Sequence, residues 1–209
     1  MGCQLTAADP IAVQIPASNG SILTGIAWVP GDAGLLFLHD VGGEDDADAW
    51  GDWPDRFAAL GYAVLSVDLP VDTSPNTIAR VVDWFLGQQP DRLFIAAAGE
   101  TAGLLEAAMA DAFVLIAPRG VTLDAARLGF VPKLIFAGSA ETESYAQAER
   151  FARACHGWSL LSTFAAKNEM PALMNGVFAP QIGSQIAGFL QEHRSAMPGP
   201  SRTVRRNPR

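Results

Sequence analysis

The chain has 209 residues, 49% hydrophobic and 17% charged, a composition typical of folded globular proteins and not of disordered ones. No apolar run reaches the roughly 18 residues that a membrane-spanning helix needs. The net charge is −8, and the five arginines of residues 194–209 have no acidic neighbour there, so residues 1–193 carry −13. Such an acidic body repels phosphate backbones, which excludes a basic nucleic-acid-binding domain.

The two ends of the chain differ from its middle. Residues 1–10 have neither the basic segment nor the apolar core of a signal peptide, so we expect an N-terminal arm and a cytoplasmic location. Their start, Met1-Gly2-Cys3-Gln4-Leu5-Thr6, fits an N-myristoylation pattern with Cys3 placed for palmitoylation, although an ordinary N-terminus is the simpler interpretation. The basic residues 194–209 are expected to form a disordered tail after a domain spanning residues 11–193.

The two cysteines, Cys3 and Cys155, are too few for a disulfide framework, and we expect both to be reduced. Cys155 stands next to His156, but adjacent helical residues point apart. The pair is therefore a poor nucleophile and base.

Strand-like segments recur along the chain. Residues 11–15 and 22–29 are rich in β-forming residues and are separated by Ser18-Asn19-Gly20, which predicts a hairpin. Nearly continuous apolar runs, typical of parallel strands buried on both faces, follow at residues 34–38, 63–67, 93–97, 112–116 and 134–137. Residues 158–164 are a plausible last strand.

Helical patterns alternate with these strands. Ser74 and Pro75 are a helix cap and a first-turn proline, and an apolar stripe at helical spacing follows them. Gly61 is placed to end another helix. Similar stripes occupy residues 148–155 and 182–189.

The order of elements predicts the fold class. Two antiparallel leading strands followed by β-α-β-α units predict a single-domain α/β sandwich: an eight-stranded, mostly parallel sheet with helices on both faces. Only about 15 residues separate the strands near Ile116 and Lys133, which is too short for a lid domain.

Nucleotide and metal sites find little support. The chain has neither G-x-x-x-x-G-K-[ST] nor G-x-G-x-x-G. An EF-hand starting at Asp46 fails because Trp50 and Phe57 stand where oxygen ligands are required. We therefore expect no cofactor and no metal, and interpret the cluster as a solvated loop facing a helix N-terminus. Its acidic residues are Glu44, Asp45, Asp46, Asp48, Asp52 and Asp55.

One segment has the pattern of a nucleophile elbow. Gly99-Glu100-Thr101-Ala102-Gly103 follows the apolar run 93–98 and precedes a predicted helical segment, Leu104–Met109. This strand–turn–helix context is the one that G-x-S-x-G requires, and the segment is the only G-x-[ST]-x-G in the chain.

Together with three further segments, this elbow-like segment makes the chain similar to the α/β-hydrolase fold family. Within that family it resembles a small, lidless esterase, lipase or dienelactone-hydrolase-like protein. Residues 36–43 (LFLHDVGG) are similar to the family's strand and oxyanion loop, and residues 60–70 (LGYAVLSVDLP) to its Gly-Tyr strand. Residues 132–141 (PKLIFAGSAE) are similar to the strand that ends in the triad acid. The resemblance covers residues 11–193.

The resemblance implies roles for individual residues. Thr101 takes the nucleophile position between Gly99 and Gly103, and Glu141 takes the acid position. The N–H groups of Ala102 and of the loop near Val41 would form the oxyanion hole. The base should lie in residues 164–169, yet this stretch has no histidine. The resemblance is thus to a family member with a degenerate triad.

These departures have chemical consequences. A hydroxyl without a neighbouring base is a weak nucleophile. An elbow forces its central residue into a left-handed conformation, so either the turn has relaxed or Thr101 is strained. Asp40 replaces the family's glycine and crowds the oxyanion loop. His39 and Lys167 are candidate bases. The alternatives are that His39 has a structural role and that Lys167 is a solvated surface residue.

Three hypotheses follow. The first is a non-catalytic α/β-hydrolase-fold protein that binds a small apolar or acyl ligand or a partner protein, with a homo-oligomer compatible with the sequence. The second is a weak carboxylic-ester hydrolase using Thr101 with His39 or Lys167. The third is a different fold, such as a flavodoxin-like domain, which the leading antiparallel strands argue against.

Overall fold

A computed structural model describes residues 9–17, 20–43, 46–120 and 123–195. The predicted acylation pattern at Gly2 and Cys3, the Ser18-Asn19 part of the hairpin turn, Glu44, Asp45 and residues 196–209 of the tail lie outside the described residues. In the part described, no helix is both long enough and apolar enough to cross a bilayer.

Within the described residues, eight strands form one sheet. They are β1 Ile11–Pro16, β2 Ile22–Trp28, β3 Ala33–Leu38, β4 Tyr62–Val67, β5 Arg92–Ala98, β6 Ala112–Ile116, β7 Lys133–Gly138 and β8 Ser159–Phe164. Their order is β1-β2-β4-β3-β5-β6-β7-β8. Strand β2 is antiparallel to both of its neighbours, and the pairings from β4 to β8 are parallel. The predicted mixed, mostly parallel sheet is confirmed.

In the part of the chain that the structure describes, five α-helices cover the sheet: α1 Trp53–Ala59, α2 Pro75–Leu86, α3 Thr142–Ala154, α4 Met170–Met174 and α5 Ala179–Ser195. Helix α2 begins as its sequence predicts, since the Ser74 hydroxyl accepts from the N–H of Thr77 in a capping box and Pro75 occupies the first turn. Gly61 adopts φ +85°, where glycine ends a helix without steric cost.

The strands divide the core into two layers. Successive side chains of a strand point to opposite faces, so Leu36 and Leu38 pack with α2 on one face. Leu35 and Phe37 pack with α1 and α5 on the other. Because both layers are apolar, β3 to β7 are buried on both faces, as their continuous apolar runs predict.

One predicted helix differs. In place of a helical segment over Leu104–Met109, the chain forms two short 3-10 helices, Gly99–Leu104 and Ala107–Met109. Leu105 between them is extended (φ −78°, ψ 153°), and so is Ala110 before β6. The connection from β5 to β6 is too short for an α-helix that must also return to the start of a parallel strand. Two other 3-10 helices are Ala47–Trp50 and Ala125–Leu128.

Candidate functional site

The turn after β5 does not have its left-handed residue at Thr101. Gly99, directly after β5, has φ +53°, and the non-glycine residues with positive φ in the described chain are Gln89 and Ala117. Of the two alternatives left open by the sequence, the structure has the one without strain at Thr101. The left-handed residue that an elbow requires therefore lies two residues before Thr101, at a position that has no side chain.

The Thr101 hydroxyl is fully buried and ties two loops together. It donates to the carbonyl oxygen of His39 at 2.5 Å and accepts from the N–H of Val41 at 3.1 Å. Its one proton and an acceptor position are therefore engaged with the loop after β3. The sequence placed the N–H of Val41 in an oxyanion hole with that of Ala102; here it contacts Thr101.

Asp40 lies at the centre of this region. Its Oδ1 accepts from the N–H groups of Gly42 and Glu100, each at 2.9 Å. Its Oδ2 is 2.6 Å from the guanidinium of Arg119. The Asp40 side chain is only 3% exposed, so this carboxylate is buried with a charged partner and two backbone donors.

The Asp40 carboxylate also fills the space beside Gly99. A Cβ added to Gly99 would lie closer than 3.0 Å to both carboxylate oxygens of Asp40. An N–H following the left-handed turn residue and an N–H from the loop after β3 are the usual donors of an oxyanion hole. In this chain those positions belong to Glu100 and Gly42, and Asp40 Oδ1 occupies both donors.

Arg119 joins this arrangement from the end of β6. Its backbone N–H donates to the carbonyl of Gly99 at 3.2 Å, and its side chain holds Asp40. Ala117, two residues earlier, has φ +49°, a conformation that costs a non-glycine residue energy and redirects the chain here. We call Asp40, Gly99, Thr101 and Arg119 the sealed turn.

His39 is buried beside the sealed turn but is turned away from the Thr101 hydroxyl. Its Nε2 accepts from the N–H of Leu69 at 2.8 Å, and Nδ1 is 3.4 Å from the carbonyl of Asp40. Because an amide N–H can only donate, Nε2 carries no proton and its lone pair is engaged. His39 thus joins the loops after β3 and β4.

The carboxyl ends of β7 and β8 carry the other predicted residues. Glu141 is exposed before α3, and its Oε2 accepts from the Ser144 hydroxyl at 3.3 Å. Lys167 is exposed, and its side chain makes no hydrogen bond or ion pair with the described residues. Asn168, in the stretch expected to hold the base, is buried: its Oδ1 accepts from the N–H of Gly138 at 2.9 Å, and its Nδ2 has no partner among the described residues.

A cleft of about 450 Å³ opens at these strand ends. It brings together Arg119, Glu141 and Asn168, whereas Thr101, His39 and Lys167 do not line it. We call it the open cleft, and its lining residues are Gly43, Arg119, Glu141, Ser144, Asn168, Glu169 and Pro171. Arg119 belongs to both the open cleft and the sealed turn.

Sequence reasoning missed Arg119 and Asn168. A buried acid at Asp40 requires a cationic partner, but nothing in the local pattern indicates which arginine supplies it. Within the described ranges, no cluster of histidine, cysteine and acidic side chains is arranged to hold a metal ion.

The fold resembles those of several solved hydrolases. An esterase from Pyrococcus furiosus superposes with a TM-score of 0.71 and 14% identity, covering 88% of this chain and 90% of that chain. A dienelactone hydrolase from Anabaena variabilis gives 0.65 and 16%, covering 90% and 97%. Esterase 2 from Thermogutta terrifontis, phosphorylated by paraoxon, gives 0.68 and 14%, covering 93% and 98%. No protein-family model and no curated protein sequence matches the chain.

Proposed function

We propose that this chain, which has the α/β-hydrolase fold, does not hydrolyse esters and instead binds a small polar molecule in the open cleft. The observation that carries the proposal is the place of Asp40. Its carboxylate accepts from the N–H groups of Gly42 and Glu100 and fills the space over Gly99. A substrate carbonyl would have to displace a buried, ion-paired carboxylate to reach those donors.

The state of the nucleophile position supports the same function. Gly99 has no side chain at the left-handed turn, and the Thr101 hydroxyl is engaged with His39 and Val41. To attack a substrate, Thr101 would have to break a buried hydrogen bond and transfer its proton to a base. The nearest proton acceptor in contact with it is a carbonyl oxygen, which is a very weak base.

Ester hydrolysis by Thr101 with His39 or Lys167, the alternative raised by the sequence, gains no support from the contacts. The acceptor nitrogen of His39 is engaged with the N–H of Leu69. Lys167 is exposed, and its side chain makes no hydrogen bond to Thr101.

The open cleft favours a polar ligand over the apolar or acyl ligand that the sequence analysis expected. Its volume of about 450 Å³ lies in the range of small-molecule sites. Arg119 offers a cation, Glu141 and Glu169 offer carboxylates, and Pro171 is the one apolar side chain among its lining residues. A ligand with both donor and acceptor groups matches this lining. A cytoplasmic location and a homo-oligomer remain predictions.

Ester turnover and covalent labelling test the absence of hydrolysis. We expect hydrolysis of p-nitrophenyl butyrate by the wild-type chain to equal that of Thr101→Ala, and no labelling by a fluorophosphonate. Esterase 2 from Thermogutta terrifontis, which paraoxon phosphorylates, serves as the positive control for the labelling experiment. Labelling of the wild-type protein that disappears in Thr101→Ala would refute the proposal.

Rebuilding the site tests whether Asp40 is the obstacle. We expect Gly99→Ser alone to stay unlabelled, because its Cβ meets the Asp40 carboxylate. Combining it with Asp40→Gly empties that space and frees the two backbone donors. Neither variant adds a base, so we expect the double variant to be labelled slowly, at the residual rate that freed oxyanion donors support, and the single variant not to be labelled at all. Equal labelling of both variants would contradict this role of Asp40.

Ligand binding is tested by thermal shift with a set of small polar compounds. A compound that stabilises the wild-type protein should lose its effect in Glu141→Gln, which changes the charge of the open cleft without touching the sealed turn. Glu143→Gln, on the exposed first turn of α3, is the matched control. Equal loss in both variants would contradict binding in the open cleft.

A further inference from the structure

A second cavity lies on the face of the sheet opposite α2. Strands β2 and β4 bound it on one side, and the segment that leads into α1 bounds it on the other. Its volume is about 480 Å³. Trp28 and Ser66 lie on the strands that form its floor, and Asp48, Asp55 and Asp68 stand on its rim. We call it the β2–β4 pocket. It shares no lining residue with the open cleft.

The rim of the β2–β4 pocket carries three carboxylates without a cation. Asp55 accepts from the Trp28 indole N–H at 2.9 Å, and Asp68 accepts from the N–H of Ala47 and the hydroxyl of Thr24. The Asp48 carboxylate makes no hydrogen bond or ion pair within the described residues. In the described part of the chain, no lysine or arginine pairs with any of the three. Their like charges repel one another and attract a cation.

Ser66 gives an independent sign of a ligand. It is 4% exposed, and its hydroxyl has no hydrogen-bond partner in the described chain. Its side chain shares the face of β4 with Val64, whose side chain packs in the layer formed with α1. Ser66 is paired with Ile26 across the sheet, and both line the β2–β4 pocket. A buried hydroxyl without a partner is costly unless something else bonds it.

The remaining walls are apolar. Trp28 is buried and held by its bond to Asp55, whereas Ile26 is 43% exposed at the opening. A cavity with apolar walls, one buried hydroxyl and acidic rim residues matches a molecule that has an apolar body and a positively charged end.

We infer that the β2–β4 pocket binds a small primary amine, with its ammonium bonded to a rim carboxylate and to the Ser66 hydroxyl and its apolar body against Trp28 and Ile26. An ammonium has three N–H donors and no acceptor, so it matches a set of acceptors that lacks a cation. A metal ion fits less well, because the described acidic residues do not form a metal-holding cluster.

Titration with 2-phenylethylamine tests the inference, followed by tryptophan fluorescence and calorimetry on the full chain. We expect saturable binding that weakens as salt is raised, because the rim charges are exposed. The neutral isostere 2-phenylethanol and Ca²⁺ should bind far more weakly. No saturable binding of the amine, or equal binding of the alcohol, would overturn the inference.

Two variants assign the site. Asp48→Asn removes a rim charge without removing a contact in the described chain, and Ser66→Ala removes the hydroxyl that lacks a partner. We expect each to weaken amine binding by about fivefold or more, the loss of one charge-assisted contact. Ser66→Ala should not lower the melting temperature, since it breaks no hydrogen bond.

Asp83→Asn is the matched control. Asp83 is exposed on α2, on the opposite face of the sheet, and its removal changes the net charge by the same amount as Asp48→Asn. Amine affinity should stay at the wild-type value in this variant. If Asp83→Asn weakened binding as much as Asp48→Asn, the attraction would be that of the acidic surface as a whole, and the inference would be wrong.

Discussion

The sealed turn and the open cleft lie side by side at the carboxyl ends of the parallel strands, and they differ in how their polar groups are satisfied. In the sealed turn, Asp40 and Thr101 are buried and bonded to backbone groups. In the open cleft, Glu141 is exposed and the Nδ2 of Asn168 has no partner among the described residues. Where polar groups satisfy each other, the site is structural, and where they do not, a ligand can bind.

Under the proposed function, this contrast accounts for the absence of ester hydrolysis in a fold that solved esterases share. The N–H groups of Gly42 and Glu100 are the donors proposed to bind a substrate oxygen in such a fold, and here Asp40 supplies the oxygen from within the chain. Arg119 then neutralises the charge. The same geometry that stabilises a transition state in an enzyme stabilises the native state here.

The largest expected effect comes from breaking the sealed turn. Asp40→Ala removes the acceptor for two backbone N–H groups and leaves Arg119 without its partner, so we expect a loss of about 3–5 kcal/mol in the free energy of unfolding. Urea denaturation measures it. Asp40→Asn keeps an acceptor for the N–H groups and should lose less. If Asp40→Ala lowered the free energy of unfolding no more than a substitution at an exposed site does, the structural role of Asp40 in the sealed turn would be contradicted.

Thr101→Val should have the next largest effect. The substitution keeps the shape of the side chain but removes its bonds to the His39 carbonyl and the Val41 N–H, which costs about 1–3 kcal/mol. Thr101→Ser retains the hydroxyl and serves as the control, again by urea denaturation. If Val and Ser were equally stable, the hydroxyl would not hold the two loops together.

A smaller effect is expected at the buried edge of the open cleft. Asn168→Ala removes the acceptor of the Gly138 N–H but also removes an amide nitrogen that has no partner in the described chain, so we expect a loss of only about 1 kcal/mol. Thermal unfolding checks this value. A loss as large as that of Asp40→Ala would erase the difference between the two regions.

The exposed residues of the predicted triad should matter least to stability. Lys167→Ala and Glu141→Gln change exposed side chains, and we expect each to shift the free energy of unfolding by less than about 0.5 kcal/mol. Measuring them beside Thr101→Val compares the predicted catalytic positions directly. A typical single substitution changes the free energy of unfolding by about 1 kcal/mol. A larger change in either variant would mean that the exposed side chain makes a stabilising contact that the structure does not contain.

The stability of the fold should depend on pH through His193, which lies outside both the sealed turn and the open cleft. This contribution must be known before the acid stability of the two regions is compared. Burial against Trp158 and Phe189 lowers the pKa of His193 below its ordinary 6.5. The unfolded chain therefore binds a proton before the native one does, so the stability present above pH 6.5 is lost as the pH falls below it. His193→Phe keeps the ring contacts and should remove this component. Urea denaturation between pH 7 and pH 5 measures it, and an unchanged pH dependence would exclude His193 as its source.

Much of the fold is predictable because its signals are local. Ser74 and Pro75 begin α2 through bonds within one helical turn. The apolar runs of β3 to β7 reflect burial on both faces. The helix expected over Leu104–Met109 is absent because the length of the β5–β6 connection, a property of the whole sheet, overrides local propensity.

The site was less predictable for a specific reason. The conformation of the turn depends on where β5 ends, and the small residues of this segment, Ala96 to Gly103, give no local signal for that point. The end of β5 at Ala98 puts the left-handed residue at Gly99 and leaves Thr101 inside a 3-10 helix. The sequence did mark Asp40 as a departure at the oxyanion loop, although not the bonds it makes.

The sequence by itself determined most of the strand and helix pattern, the fold class, and the absence of a histidine from residues 164–169, because these depend on residue type and periodicity. Only the tertiary structure decided that Arg119 pairs with Asp40 and that this carboxylate accepts from the N–H groups of Gly42 and Glu100. Residues far apart in the chain meet there through the order of the strands, and no local pattern records which side chains that order brings together.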